Sequence, residues 1–322
     1  LDQLTVHGAG LRWRDDAARL PVLTTVQSDL QVSHLILGEE VPPPAELTCN
    51  IQVGDIIDRL ETRGQLRWGT QLQDVQLKIT GEGIRTGFLA AYLPAGVGIA
   101  STDGRLTAQL AASCERLAGD EGIKTLIQLS DVDFRNGQEA TPYVHLDSAV
   151  VDIPQLDTVS TATHAGHIQV AEIATHGLIV NLHRQLDGTM NAAGIQIGTP
   201  QAGASTLPAT MPALVTNPNL AAMGETETQV SAWVPKTRKR WPQVDIAKVD
   251  LNLQSLCLRD DARPDGDITM ADVRMVNKAP IRCLGPEAES LAPAEVQISG
   301  HITPLVRTFS VDAQLAPFAT QP

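Results

Sequence analysis

The sequence has 322 residues, with 24 Lys and Arg against 37 Asp and Glu, and a net charge of −13. Its apolar share of 43% suffices for a sizeable core, yet only four Trp, two Tyr and four Phe contribute to it. So few aromatics cannot form the two girdles of a transmembrane β-barrel, no apolar run reaches the roughly 18 residues of a membrane-spanning helix, and strong acidity with a single basic run argues against nucleic-acid binding.

The chain opens at Leu1 without a charged-then-apolar leader, so any targeting segment is expected outside this stretch, and the sequence reads as a piece of a longer protein. Leu11-Arg12-Trp13-Arg14-Asp15 reads as a strand entering a turn, and Leu30-Gln31-Val32 as part of a strand. In Thr70 to Ile79, the apolar side chains of Val75, Leu77 and Ile79 fall on one face, the period-two signature of a half-buried strand. Gly81-Glu82-Gly83-Ile84-Arg85-Thr86-Gly87 imitates a dinucleotide-binding turn, but its spacing is one residue too long. The segment that follows, Thr86 to Leu93, is the one good helical stretch, and Pro94 stops it. Leu106 to Leu110 alternates again after an Asp103-Gly104 turn. Gly119 to Thr125 echoes a phosphate-binding loop with two residues between its glycines where four are needed.

Val132 to Asn136 and Val151-Asp152-Ile153 continue the strand pattern across an Asn136-Gly137 turn. His164 and His167 lie three apart and so point to opposite faces of a strand; with His176 and His183 they read as solvent-facing side chains, not as a metal site. The pattern breaks from Thr199 to Gln229, where Pro, Ala, Thr, Gly and Asn dominate. This stretch reads as a flexible linker, expected to be removable without unfolding the sheet. Trp233 and Trp241 flank the basic run Lys236 to Arg240, which reads as a solvated edge. Val249 to Leu253 and Val311 to Leu315 alternate once more, and Asp261 to Asp272 is a turn whose Arg263 stands where a calcium loop needs an oxygen. Cys49, Cys114, Cys257 and Cys283 are too far apart for the usual zinc patterns, and leave two disulfides or plain thiols equally open.

An internal repeat organises these elements. Leu11 to Asp15 recurs as Val132 to Asn136, 121 residues on, and as Leu256 to Asp260, 124 further. Leu30-Gln31-Val32 recurs as Val151-Asp152-Ile153 and Val273-Arg274-Met275, at intervals of 121 and 122. Two segments holding register through three copies are unlike chance, and a period this long makes each unit several strands. The expected layout is two β units over 1–198, the linker over 199–229, and a third, incomplete unit over 230–322.

Leu178 to Asn191 runs from an apolar strand through Arg184 into Asp187-Gly188-Thr189-Met190-Asn191, followed by the linker and Trp-led strands. Ile298 to Leu305 carries a G-x-I-x-P strand pair, and Phe88 to Leu93 a short helix after a long strand. In these features the chain resembles the AsmA-like bacterial envelope proteins, and a related subfamily within them. The resemblance implies a mainly β fold: a long, curved antiparallel sheet folded into an open apolar groove, with one or a few short helices. It implies a place in the periplasm, anchored through a segment outside this stretch, and contacts with inner- and outer-membrane components. The implied role is a bridge along which phospholipid acyl chains slide.

The residues lead the same way. An alternating sheet has an apolar face that must be covered, and one short helix cannot cover it. Twenty-odd strands about 4.8 Å apart would extend some 100 Å. Such a wall could hold acyl chains, each buried methylene contributing about 0.8 kcal/mol. The expected lining is Leu30, Val32, Val75, Leu77, Ile79, Val151, Ile153, Leu251, Leu253, Val273 and Met275, with Gln31, Asp152 and Arg274 facing water. No catalytic constellation, metal or cofactor is expected. Two other readings stay open: a non-enzymatic scaffold for outer-membrane protein assembly, and a closed β-sandwich interaction module.

Overall fold

The computed structural model describes residues 1–18, 21–94, 96–120, 122–157, 166–198, 242–263, 266–283 and 293–315. Period-two alternation becomes strand nearly everywhere it occurs. In chain order the strands are β1 (Gln3–Asp15), β2 (Val22–Ser33), β3 (Ala45–Val53), β4 (Ile57–Trp68), β5 (Leu72–Ile84), β6 (Val97–Ile99), β7 (Gly104–Arg116), β8 (Ile123–Asn136) and β9 (Val144–Asp157). They continue as β10 (His167–Arg184), β11 (Met190–Ala192), β12 (Ile195–Ile197), β13 (Gln243–Asp260), β14 (Ile268–Asn277), β15 (Ile281–Cys283), β16 (Ala294–Thr303) and β17 (Val306–Leu315). All seventeen belong to one sheet, which is open and uncurled. The mainly β fold expected from the sequence is therefore what the chain builds, and the apolar groove takes the form of one open face. The closed sandwich is not, since among the described residues there is no second sheet to pack against.

Thirteen long strands lie side by side in the order β1-β2-β3-β4-β5-β7-β8-β9-β10-β13-β14-β16-β17. Twelve steps of about 4.8 Å give a width of about 58 Å. The twenty-odd strands expected from the sequence are fewer because the real ones are long: β10 and β13 each run 18 residues. The three-residue strands β11, β12 and β6 form a side row from the end of β10. β15 fills the edge of β13 beside its first residues.

Neighbours are antiparallel with one exception among the long strands: β10 and β13 run parallel, from His167 beside Gln243 to Arg184 beside Asp260. A purely antiparallel meander was expected. The parallel pair follows from the connection between them. After β12 the chain stands level with Arg184, because Ile197 pairs with Met190 and Met190 with Arg184. It re-enters the sheet level with His167, where Gln243 donates its amide to the Gly166 carbonyl. The residues between, including the expected linker 199–229, the two tryptophans and the basic run, lie outside the described residues.

Each copy of the repeated Arg-containing segment ends a strand before a hairpin: β1 into β2, β8 into β9, β13 into β14. Each downstream copy lies on the strand that returns. The glycines of the nucleotide-like turn have a packing reason. Gly83 and Gly87 have positive φ, and a Cβ on them would strike the Asp58 side chain and the Asp55 backbone. Asp58 meanwhile takes both arms of Arg85, at 2.9 and 2.5 Å.

Candidate functional site: an open apolar face

Residues paired across strands put their side chains on the same face, so register alone traces what each face carries. From Val6 the pairs run to Leu30, Cys49, Thr62 and Ile79. From Leu77, two residues before Ile79, they continue through Leu110, Leu129, Ala149, Thr175, Leu251, Met275 and Ile298 to Val311. One face is thus mainly apolar across the thirteen long strands, with Thr62 and Thr175 the polar members of this row. Its smaller members, such as Ala108, Ala112 and Ala149, leave shallow places between the branched ones.

All eleven predicted lining residues lie on this face. Leu30 and Val32 are on β2; Val75, Leu77 and Ile79 on β5; Val151 and Ile153 on β9; Leu251 and Leu253 on β13; Val273 and Met275 on β14. Pairing joins neighbouring members directly: Leu251 to Met275 and Leu253 to Val273. The more distant ones connect through residues not singled out in the sequence, among them Leu110, Leu129 and Ile173. Those were missed although β7, β8 and β10 alternate too. Bulges at the positive-φ residues Asp131 and Gly177 shift the phase inside β8 and β10, which hides the common face from a periodicity reading.

Nothing in the described structure caps this face as a layer. No large side chain is fully buried, and the buried apolar residues are mostly small or β-branched, such as Ala45, Ala108 and Val170. The lining residues are half-exposed apart from Val32 at 6%. Local cover exists at one end, where the short 3-10 helix Gly87–Ala91 meets β2. There the Trp13 indole N–H donates to the Tyr92 hydroxyl at 3.3 Å, which donates to Asp15 at 3.0 Å. Val22, Thr24 and Ala91 are buried beneath.

The opposite face is polar and ionic. Gln31 and Arg274 are exposed on it and Asp152 is half-exposed, each pointing away from its apolar neighbours. Arg274 also has a partner that the sequence did not disclose. Its guanidinium grips Asp250 at 2.8 and 2.7 Å, and Asp250 is only 5% exposed. The Arg274 hydrogen bonds hold the Asp250 carboxyl below its ordinary value, against the upward push of burial. The signal was present, an acid and a base at the polar positions of two strands, but only the register puts them together.

The parallel pair β10–β13 is fastened by contacts between charged side chains along its length. His167 contacts Asp245 at 2.9 Å, Lys248 contacts Glu172 at 2.6 Å, and Arg184 reaches Asp260 at 3.5 Å. His183 Nε2 lies 2.9 Å from Asp261, an ionic contact without hydrogen-bond geometry. Burial raises the Asp245 carboxyl, but hydrogen bonds from Arg282, His167 and Gln243 outweigh it and the net displacement is downward. The histidines of β10 are therefore side chains of this seam; His164 lies outside the described residues. Among those residues, no three His, Cys, Asp or Glu gather closely enough to hold a metal ion. Cys49, Cys114 and Cys257 are free thiols.

Two hollows lie on the polar side. One of about 690 Å³ sits between residues 139–143 and the ends of β10 and β13, beside His183, Asn191 and Arg259. Another of about 640 Å³ lies over β4 to β9 among Gln65, Gln76, Gln109 and Gln128. No helix among the described residues is long and apolar enough to cross a membrane. Comparison with protein-family models, with curated proteins and with solved structures found no match to this chain.

Proposed function

We propose that the protein is a non-enzymatic lipid carrier, a segment of an AsmA-like bridge whose open apolar face holds phospholipid acyl chains between the inner and outer membranes. The observation that carries this reading is the mainly apolar row from Val6 to Val311, interrupted only by threonines at Thr62 and Thr175 and left open by the described residues. An exposed apolar surface of that extent marks an interaction site. A face made mostly of aliphatic side chains suits an occupant that is itself aliphatic and moves. Each methylene taken from water contributes about 0.8 kcal/mol, nearly independent of where along the wall it rests. Sliding then needs no reacting group, only a surface whose energy changes little with position. The alternative scaffold role would draw on strand edges, and has no comparable use for a continuous face.

The test is native mass spectrometry and lipid analysis of protein extracted from envelope membranes. Phospholipid is expected to co-purify, and delipidated protein is expected to take it up again. Protein that neither retains nor rebinds phospholipid would overturn the proposal.

A further inference from the structure

The hollow of about 640 Å³ on the polar side lies well inside the sheet, over β4 to β9. Its floor is two adjacent cross-strand rows. One is Arg63, Lys78, Gln109, Ser130 and Ser148; the other is Gln65, Gln76, Ala111, Gln128 and Val150. Four strand steps of about 4.8 Å make this floor about 19 Å long. Its lining holds two cations and no carboxylate, in a chain whose net charge is −13. Acids near it are already engaged: Glu61 is held by Arg59 and Arg63, Asp74 lies 3.3 Å from Arg67, and Asp131 accepts from Gln109 at 2.6 Å. Glu46, opposite Gln65 at the margin, is the exception.

The two cations are direct cross-strand partners, Arg63 of β4 beside Lys78 of β5. Like charges placed opposite each other destabilise a sheet. Lys78 is exposed and has no ion pair or hydrogen bond to any described residue. Arg63 meets Glu61 through Nε and is 68% exposed, so its outer guanidinium nitrogens remain available. An anion seated between the two converts their repulsion into a pair of charge-assisted contacts. Beyond them the floor offers uncharged groups only. The side chains of Gln65, Gln76, Gln128, Ser130 and Ser148 hydrogen-bond to no other described residue. Amides and hydroxyls both donate and accept, as sugar hydroxyls do. A nucleobase would call for an aromatic stacking platform, and no aromatic side chain lines the hollow.

We propose that this hollow binds a short phosphorylated saccharide, its phosphate between Arg63 and Lys78 and its sugar along the amide and hydroxyl rows toward β9. The site lies on the opposite side of the sheet from the apolar row, and holds whether or not that row carries lipid.

The experiment titrates trehalose 6-phosphate, trehalose and inorganic phosphate into the protein by calorimetry. Trehalose 6-phosphate is expected to bind at least about tenfold more tightly than either fragment, because it engages both ends of the hollow at once. Lys78→Gln is expected to weaken trehalose 6-phosphate and inorganic phosphate by about tenfold, the loss of one charge-assisted contact, and to leave trehalose unchanged. Gln128→Ala is expected to weaken trehalose 6-phosphate and trehalose and to leave inorganic phosphate unchanged. Removing Lys78 also relieves the like-charge pair, so the ligand-free variant should melt no lower than the wild type, which separates lost binding from lost fold. Absence of binding by trehalose 6-phosphate at millimolar concentration would overturn the proposal. So would inorganic phosphate binding as tightly, which would leave a simple anion site, or unchanged affinity in Lys78→Gln. Displacement of the probe by phosphatidylglycerol vesicles would place a membrane head group in the hollow and overturn it as well.

Discussion

Ile153 shows what an open apolar face means for one side chain. It pairs with Thr125 of β8 and is half-exposed, where the equivalent residue of a packed core would be sealed. Ile153→Asp in a sealed core would bury an unpaired charge and cost several kcal/mol. Here the carboxylate keeps contact with water, so the protein is expected to fold while its phospholipid content drops. Asp152→Asn, on the other face, should change neither. Thermal unfolding measured beside lipid content separates these outcomes, and outright unfolding of Ile153→Asp would mean that the face is closed. Arg274 gives the contrasting case. Arg274→Met strands the Asp250 carboxylate, whereas Asp250→Asn with Arg274→Met removes both charges. The single variant is expected to be the less stable of the two, because an unpaired buried charge costs more than a missing pair. Equal melting midpoints would mean that Lys248, 3.9 Å from Asp250, holds the carboxylate unaided.

At the scale of elements, the β10–β13 seam determines how the connection behaves. From His167 to Arg184 the strand rises about 56 Å, and the chain must return over that distance between β12 and β13. Deleting 199–229 leaves residues 230–241, which reach about 47 Å at full extension. The expectation that this stretch can simply be removed therefore fails on length. The deletion should detach the β11–β12 hairpin or the start of β13 and lower the melting midpoint. A Gly/Ser-rich replacement of equal length should leave it unchanged, and an undisturbed deletion variant would show that the return path is shorter than the register implies. The seam should also be sensitive to acid. The Asp245 and Asp250 carboxyls lie below their ordinary value of 3.8 in the folded protein. Their stabilisation is complete above that value and is lost as pH falls below it, through the lowered folded-state values. Hydrogen exchange along β10 and β13 should report loosening only below about pH 4; opening already near pH 6 would mean that these carboxylates do not control the seam.

For the molecule as a whole, the proposed occupant bears on stability. A single-layer sheet lacks the second layer that supplies an ordinary core, so an apolar occupant of the proposed kind would act as part of the fold. The melting midpoint of delipidated protein is expected to rise with added phospholipid by mass action; a midpoint indifferent to lipid would count against that dependence. Strands, turns and the face that side chains share were legible in the sequence because they depend on neighbours two apart, as in Val75, Leu77 and Ile79. Three features were not: the parallel seam, the Asp250–Arg274 pair and the row through Leu110 and Leu129. Each depends on which strands meet and in what register, and the bulges at Asp131 and Gly177 reset that register mid-strand. The internal repeat came closest to supplying it, since it marked β1, β8 and β13 as equivalent.

The seam has one further consequence, a matter of parity. Strands that reversed at every step would run β13 opposite to β1 and β8, its equivalents in the repeat. The single step without reversal, between β10 and β13, leaves an even number of reversals from β8 to β13, as there is from β1 to β8. A local exception deep inside the sheet thereby keeps all three copies of the repeat pointing one way.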